Sequence, residues 1–431
     1  MDPSSSSNSS SPEIGSLPST GTTESNRDGA GPPGDATVQR REATDRPWLH
    51  LLLFGATLVT TVYAGAQWVG RWLYYEAQGE TVSLIFMSVP QAWLVDGVRY
   101  AIPLLGFLTV HEFGHYFAAR YHRVNTSLPY YIPFFPQINP IGTFGAVISI
   151  RQAIPSTRKL FDIGVAGPLA GFVVALGALL YGFATLPPPE YLLDLQGHEM
   201  LKEHIRQYGT FPSTPPDPSG NAIVIVIGQT PLFWLLSQFF AHVPPMYEIY
   251  HYPVLFAGWL GLFFTALNLL PVGQLDGGHV LYALLGSTWH RRFAQAFVFL
   301  LLLSGGMGFM TEVRPGLYKM GALWGDLSWA ILGVIYAGYL YRIFGGINWA
   351  MLGGTLGLLA GVGGANLIGP GLMQYGYAGW LFWTLLIVFL IRVEHPPVMK
   401  EQRLTPTRRT LGYLAIAIFI LCFSIRPITT L

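Results

Sequence analysis

The sequence HEFGH at residues 111–115 carries the clearest chemical signal in the chain. On an α-helix, residues four apart share a face, so the imidazoles of His111 and His115 can bind one metal ion together. Glu112 lies beside them and can act as a base. Zinc accepts neutral imidazole nitrogen and keeps an open position in catalytic sites. Because ionisable groups within an apolar span are costly and mark function, we predict metal-assisted chemistry at this position rather than a purely structural role.

Two histidines require a third ligand, and four acidic or histidine side chains in other apolar stretches are candidates: Asp162, Asp276, His279 and Asp326. Asp276 is the favoured ligand, because Pro271 breaks the helical hydrogen-bond ladder just before it and the neighbouring glycines permit close approach of the backbone. The alternative is that Asp276 only caps a helix. Asp162 is interpreted as a charge near a helix N-terminus. His279 is interpreted as a residue that supports or packs against the site.

The composition places this chemistry in a membrane. The chain has 431 residues, of which 51% are hydrophobic and 11% are charged, whereas soluble domains average about 25% charged residues. These values exclude a disordered protein and an ordinary soluble enzyme. The net charge of +1 offers no basic field for phosphates, so no nucleic-acid partner is predicted. The single cysteine, Cys422, excludes an internal disulfide and a cysteine-built zinc site.

The elements that must position these residues are apolar stretches near the bilayer-spanning length of about 20 residues. Nine spans are predicted, near residues 48–66, 98–120, 161–185, 252–285 (broken inside), 293–310, 322–341, 349–368, 377–391 and 411–426. The stretch 82–95 contains Pro90 and is predicted to be re-entrant or interfacial. The segment GTFGAVISIR alternates and is β-branched, which is typical of a strand. The predicted fold is therefore an all-α polytopic membrane protein with a short membrane-associated β-hairpin near the active site.

At these motifs the chain resembles the site-2 protease family of intramembrane zinc metalloproteases. HEFGH matches the family's HExxH, and NLLPVGQLDGG matches its Asn-x-x-Pro-x-x-x-Leu-Asp-Gly element. GTFGAVI and VAGPLAG match its glycine-containing hairpin and the Gly-rich span that follows. The resemblance covers roughly residues 100–290. It is strongest to the branch found in plant plastids and in bacteria, which lacks the PDZ and CBS domains of other branches.

The resemblance implies a zinc cofactor with His111, His115 and Asp276 as ligands, and Glu112 as the catalytic residue that activates water. It implies that Asn268 binds substrate or supports the site. The implied activity is hydrolysis of peptide bonds in or near transmembrane segments of membrane proteins, in regulated proteolysis. The implied partners are these membrane-protein substrates and the lipid bilayer.

A substrate helix buries its own amides, so it must be unwound before cleavage. The strand-like segment at Gly142–Ser149 offers an edge for pairing with an extended substrate, and Gly142 and Gly145 are accordingly predicted to bind substrate. The alternative is an ordinary hairpin that packs the site closed. Gly167 and Gly171 have small-xxx-small spacing, which predicts close helix packing.

Four regions follow from these assignments: a disordered tail at 1–46, a first span with an interfacial segment at 47–96, a metalloprotease core at 97–290, and additional spans at 291–431.

Most basic residues fall on the side of the amino terminus, so the positive-inside rule places that terminus in the cytoplasm. The predicted location is a bacterial inner membrane. A plastid membrane is the second choice, because the acidic residues of the tail argue against a transit peptide.

Two other functions stay open. One is a multi-span transporter, because broken helices with midplane charges also occur in transporters. The other is a non-proteolytic metal-binding membrane protein. No second copy of HEFGH or LDGG is present, which argues against the internal repeats of a transporter. A protein that only binds metal has no need of Glu112.

Overall fold

The computed structural model describes residues 46–70, 73–78, 81–86, 90–195, 197–216, 224–396 and 398–430. This part of the chain is mostly helical, which confirms the predicted helical fold class. The predicted disordered tail lies, up to residue 45, outside the described residues. The helices are α1 (Pro47–Trp68), α2 (Pro90–Tyr121), α3 (Thr157–Ala184), α4 (Glu199–Tyr208), α5 (Pro231–Ser237), α6 (Pro253–Asn268), α7 (Asp276–Gly308), α8 (Arg314–Met320), α9 (Ala322–Asp326), α10 (Ser328–Phe344), α11 (Trp349–Ile368), α12 (Pro370–Met373), α13 (Gly379–Leu385) and α14 (Pro406–Cys422).

Short helical turns of other types complete the helical part. Two 3₁₀ turns lie at Pro189–Asp194 and Ile249–His251. Two π-helical turns, Phe309–Val313 and Leu386–Ile391, continue α7 and α13. Proline occupies the first turn of several of the helices, where its fixed φ suits the helix and its missing N–H leaves no donor unpaired.

Six strands pair into three antiparallel two-stranded sheets: β1 (Leu73–Gln78) with β2 (Thr81–Phe86), β3 (Tyr130–Pro133) with β4 (Thr143–Val147), and β5 (Ile225–Ile227) with β6 (Ile428–Thr430). The predicted strand in GTFGAVISIR is confirmed as β4. Its register with β3 pairs Tyr130 with Val147 and shifts between Tyr131 and Pro133. Of the predicted interfacial stretch 82–95, residues 82–86 lie in β2 and residues 90–95 lie in the first turns of α2, while 87–89 lie outside the described residues. The position of this stretch relative to the bilayer stays a prediction.

Five helical segments in the described part are long and apolar enough to cross a membrane: Pro47–Trp68, Gln91–Tyr121, Thr157–Ala184, Asp276–Met320 and Trp349–Ile368. Three apolar helices are shorter: Pro253–Asn268, Ser328–Phe344 and Gly379–Ile391. The predicted stretches 252–285 and 293–310 are divided differently in the structure. The break lies at residues 269–275, and α7 then runs on to Gly308. Gly286 adopts φ 77° and ψ 173° inside α7, so it kinks this helix without ending it.

Close backbone contacts hold α3 against α6. A Cβ atom on Gly182, Gly258 or Gly261 would lie 2.9 Å or less from an atom of the facing helix. Glycine at a helix interface lets two backbones approach closely, which favours association of membrane helices. Because α6 ends in the loop that leads to α7, this packing also sets the position of the first turn of α7.

The described part after residue 290 packs on the core through polar contacts. The Arg408 guanidinium, near the start of α14, donates two hydrogen bonds to the Asp162 carboxylate of α3, both at 2.7 Å. The Gly273 N–H donates to the Val393 carbonyl at 3.0 Å. The proposed core therefore does not end sharply at residue 290, and the boundaries of the four predicted regions stay predictions.

Candidate metal centre

Three side chains from two helices meet at one point. His111 and His115 lie one turn apart on α2, and Asp276 is the first residue of α7. The Nε2 atoms of the two histidines are 3.1 Å apart. The Asp276 Oδ2 atom lies 3.2 Å from the Nε2 atom of His115 and 3.5 Å from that of His111. The favoured third candidate from the sequence is thus the one that the structure brings to the two histidines.

The spacing of these three atoms fits a small tetrahedral metal ion. Bonds of about 2.0–2.1 Å to nitrogen and oxygen place two ligand atoms about 3.3 Å apart in a tetrahedron. The three measured separations, 3.1, 3.2 and 3.5 Å, bracket that value. Two imidazoles and one carboxylate leave the fourth position for water or substrate, which is the arrangement of a catalytic site. The residues present therefore fit a catalytic metal.

Glycines let α7 begin directly beside its own connecting loop. A Cβ atom on Gly277 would lie 2.0 Å from the Leu269 carbonyl oxygen, and one on Gly278 would lie 2.3 Å from the Gly273 carbonyl oxygen. Any larger residue would push the start of α7 away from the loop. The glycines around Asp276 therefore do what the sequence predicted, since they permit the close backbone approach that points Asp276 at α2.

The ring of His115 is held on two sides. Its Nδ1–H donates to the Ile163 carbonyl of α3 at 2.7 Å, which leaves the Nε2 lone pair free for a metal. Gly167 lies under the same ring, since a Cβ atom there would be 2.1 Å from Nε2. A Cβ atom on Gly114 would in turn be 2.7 Å from the Ala166 carbonyl oxygen. The predicted close packing at Gly167 is confirmed, and it places the histidine ring.

The ring of His111 has different neighbours. Its Nδ1 atom is buried and has no hydrogen-bond partner among the described residues. The Asn268 side-chain amide, at the end of α6, donates toward its Nε2 atom at 3.3 Å. The structure thus brings Asn268 to the site, as the sequence predicted. An ion bound at Nε2 would take the place of this hydrogen bond and free the amide for another partner.

Glu112 is buried, with 7% of its surface exposed. The backbone of Ile148, directly after β4, is in hydrogen-bonding contact with its carboxylate. The hairpin is fastened to α2 by the hydrogen bond between the Thr109 and Tyr131 hydroxyls, 2.7 Å long. A buried carboxylate next to the three convergent side chains is placed to exchange a proton with a group bound at the centre.

The two hairpin glycines face α1 and α2, and their role in substrate binding stays a prediction. Gly142 has φ +83° and Gly145 has φ +95°, a backbone conformation that favours glycine. A Cβ atom on Gly142 would be 2.6 Å from the Thr60 carbonyl oxygen of α1, and one on Gly145 would be 3.9 Å from the Leu108 side chain. Gly142 therefore lets the hairpin pack against α1. Gly145 lies beside Leu108, which is about one turn before His111 on α2.

The remaining candidates from the sequence have other partners. Asp162 accepts hydrogen bonds from His122 and Arg408, so it acts in an ion-pair network and not only as a helix-terminal charge. The Nδ1 atom of His279 is 2.8 Å from the Nε2 atom of His395, which is consistent with the predicted supporting role. Asp326 accepts from the Tyr318 hydroxyl. His395 was not predicted, because no local sequence signal links it to α7.

A family model described as peptidase family M50 matches residues 99–311. The matched range contains HEFGH and Asp276. No solved structure matches the chain.

Several curated proteins that the chain is similar to come from plants. The chain is 29% identical over 231 residues to "Probable zinc metalloprotease EGY1, chloroplastic" of Oryza sativa subsp. japonica, which covers 53% of this chain and 35% of that protein. It is 28% identical over 280 residues to the protein of the same name from Arabidopsis thaliana. This alignment covers 61% of this chain and 46% of the Arabidopsis protein. The chain therefore spans less than half the length of these relatives.

Proposed function

We propose that this chain is an intramembrane zinc metalloprotease of peptidase family M50, whose family model matches residues 99–311. Its substrates would be membrane proteins, cleaved in or next to their transmembrane segments. One observation carries the proposal: three convergent ligand atoms at tetrahedral spacing, with a buried carboxylate beside them, on helices that are long and apolar enough to cross a membrane. The curated relatives are named zinc metalloproteases, which supports the same function.

The zinc ion would be held by the Nε2 atoms of His111 and His115 and by the carboxylate of Asp276. When bound, zinc acts as a Lewis acid that eases the deprotonation of water and polarises a carbonyl group. The hydrogen bond from His115 to Ile163 holds the imidazole in the tautomer that a metal requires. The protein thereby presents its ligands already oriented.

Glu112 would move the proton. Its carboxylate accepts a proton from the attacking water and returns it to the amine nitrogen as the peptide C–N bond breaks. The contact with the Ile148 backbone fixes the carboxylate next to the end of β4. Burial keeps bulk water away from Glu112, so the proton that it takes up stays available for the leaving group.

The substrate would lie along β4. Within the described residues β4 pairs only with β3, so one of its edges is open to an extended peptide. The strand ends next to Ile148, whose backbone contacts the Glu112 carboxylate. Gly142 and Gly145 would shape the part of the hairpin along which the substrate lies. The amide of Asn268 would contact the substrate or orient His111 from the opposite side. The competing role of the hairpin, closing the site, is supported by the packing of Gly142 on α1.

The chain is a membrane protein, and we propose nine spans with the amino terminus in the cytoplasm, since most basic residues fall on that side. We propose a bacterial inner membrane as the location. The alternative is a plastid membrane, which the chloroplastic names of the relatives favour. A reporter inserted in the loop that contains α4 tests the orientation. Activity of that reporter on the same side as the amino terminus would contradict it.

The test of function is cleavage of a labelled single-span protein in proteoliposomes that contain the purified chain. We expect fragments whose new termini lie in or beside the transmembrane segment. Movement of a solute across the membrane without any fragment would favour a transporter. Zinc binding without cleavage of any single-span protein would favour the non-proteolytic alternative.

Gly167→Ala tests the packing that places His115. The new Cβ atom would overlap the His115 ring at 2.1 Å, so the ring or α3 must shift. Since a misplacement of about 1 Å costs on the order of 10²-fold in rate, we expect cleavage to fall about 100-fold. The matched control is Gly177→Ala on the same helix, where nothing lies within 4 Å of the new atom. Equal cleavage by both variants would show that this contact does not position the site.

A further inference from the structure

A second group of ligand atoms lies outside the site described above. It is formed by His198, Glu248 and His251, in the segment between α3 and α6. One ligand atom from each side chain lies within 4.8 Å of the other two. We propose that these three residues form a second zinc site, which fastens α4 to the start of α6.

The short 3₁₀ turn before α6 brings two of the ligands together. Glu248 precedes this turn and His251 ends it. Residues three apart are eclipsed in a 3₁₀ helix, so both side chains point the same way. The His251 Nδ1–H donates to the Glu248 Oε2 atom at 2.7 Å. Both side chains are only 3% exposed.

His198 completes the group from a position about 50 residues earlier in the chain. Its Nδ1 atom lies 3.5 Å from the Glu248 Oε1 atom, so each carboxylate oxygen faces one imidazole. The two imidazole rings meet edge to face, with centroids 4.7 Å apart. His198 adopts φ +60° at the N-cap of α4. A left-handed conformation is uncommon for residues other than glycine and concentrates at functional sites.

The charge of Glu248 requires a partner. Among the described residues its ion pairs are with the two histidines alone. The nearby Lys202, on α4, is paired with Glu199 at 3.1 Å. A buried carboxylate is expensive unless it is paired or binds a metal, and a divalent cation between Glu248 and the two imidazoles would add the full positive charge that neutral histidines lack.

The donor set indicates which ion would bind. Two imidazole nitrogens and one carboxylate oxygen suit zinc better than calcium or magnesium, which prefer oxygen ligands. The separation of 3.5 Å between His198 and Glu248 is close to the tetrahedral spacing of about 3.3 Å. The 2.7 Å between His251 and Glu248 must widen when an ion replaces their hydrogen bond. On binding, zinc takes the place of the proton shared by His251 and Glu248. The side chain of His198 is 33% exposed, which provides a route for the ion.

Zinc content per chain tests the second site. Full-length protein, purified without a histidine tag and dialysed against a large volume of buffer with a low, fixed concentration of free zinc, is expected to hold two zinc ions. His198→Asn is expected to hold one, and asparagine tolerates the left-handed conformation at this position. The matched control is His204→Ala, which removes a half-buried histidine from α4 and should leave two ions bound. Glu248→Gln, which keeps the shape of the buried side chain, should also hold one.

A second measurement guards against misfolding of the variants. Added zinc should raise the Tm of the wild type and of His204→Ala in two steps, and that of His198→Asn in one. A single ion in the wild type that persists in His198→Asn would overturn the proposal. Two ions that both persist in His198→Asn would also overturn it, because the second ion would then lie elsewhere. Cleavage activity does not enter either readout, so this test is independent of the proposed protease function.

Discussion

Glu112→Gln is expected to lower the rate of substrate cleavage about 10³-fold, since general acid–base catalysis contributes about 10²–10⁴-fold. The amide is nearly isosteric with the carboxylate and cannot accept the proton of the attacking water. The packing around the buried Glu112 and the contact with Ile148 should survive the change. Initial rates of fragment formation in proteoliposomes, with wild-type protein in parallel, measure the effect.

The zinc content of Glu112→Gln is the control for that experiment. The proposed ligand atoms belong to His111, His115 and Asp276, so zinc should bind as in the wild type. Loss of both zinc and activity would mean that Glu112 supports the metal rather than the chemistry. Undiminished cleavage would remove Glu112 from the mechanism.

Asp276→Ala is expected to remove zinc from the catalytic site and cleavage with it. The change deletes the atom that lies 3.2 and 3.5 Å from the two histidine nitrogens. Loss of a residue that only supports a ligand costs about 10–100-fold in metal affinity, so loss of a ligand should cost more than about 100-fold. Competition with a chelator of known affinity measures the change.

Two aspartates that the sequence offered as rival ligands are the controls for Asp276→Ala. Asp326 is exposed and accepts a hydrogen bond from Tyr318, so Asp326→Ala should keep zinc and activity. Asp162 pairs with Arg408 and His122, so Asp162→Asn should weaken the attachment of α14 while the zinc stays. Full zinc binding by Asp276→Ala would contradict the proposed ligand set.

Local sequence rules were sufficient to predict the central part of the site. The four-residue spacing in HEFGH predicts two imidazoles on one helical face, and the structure shows their nitrogens 3.1 Å apart. Pro271 and the glycines around Asp276 predict a break, and α6 and α7 are separated there. Alternating β-branched residues predict β4. Each of these features depends on residues close together in the chain.

Features that depend on distant residues were not predictable in the same way. His395 contacts His279 across 116 positions, and Arg408 reaches Asp162 across 246. Neither contact leaves a periodic pattern in the sequence. The sequence predicts a boundary between two spans at Gly286, because the glycine and the polar residues after it resemble a loop. In the structure α7 continues through them and is only kinked at Gly286. The pair Glu248 and His251 does have a local signal, the i and i+3 spacing, but His198 joins it only in the folded chain.

The measurement that tests the protease assignment most directly is cleavage of a single-span substrate by zinc-depleted protein, before and after zinc is restored. We expect no fragments from depleted protein. Two equivalents of zinc, enough for both proposed sites, should restore cleavage in the wild type, with new termini in or beside the transmembrane segment, and should restore none in Glu112→Gln. Cleavage by the depleted protein at the undiminished rate, or equal cleavage by wild type and Glu112→Gln, would contradict a zinc metalloprotease built on HEFGH and Asp276.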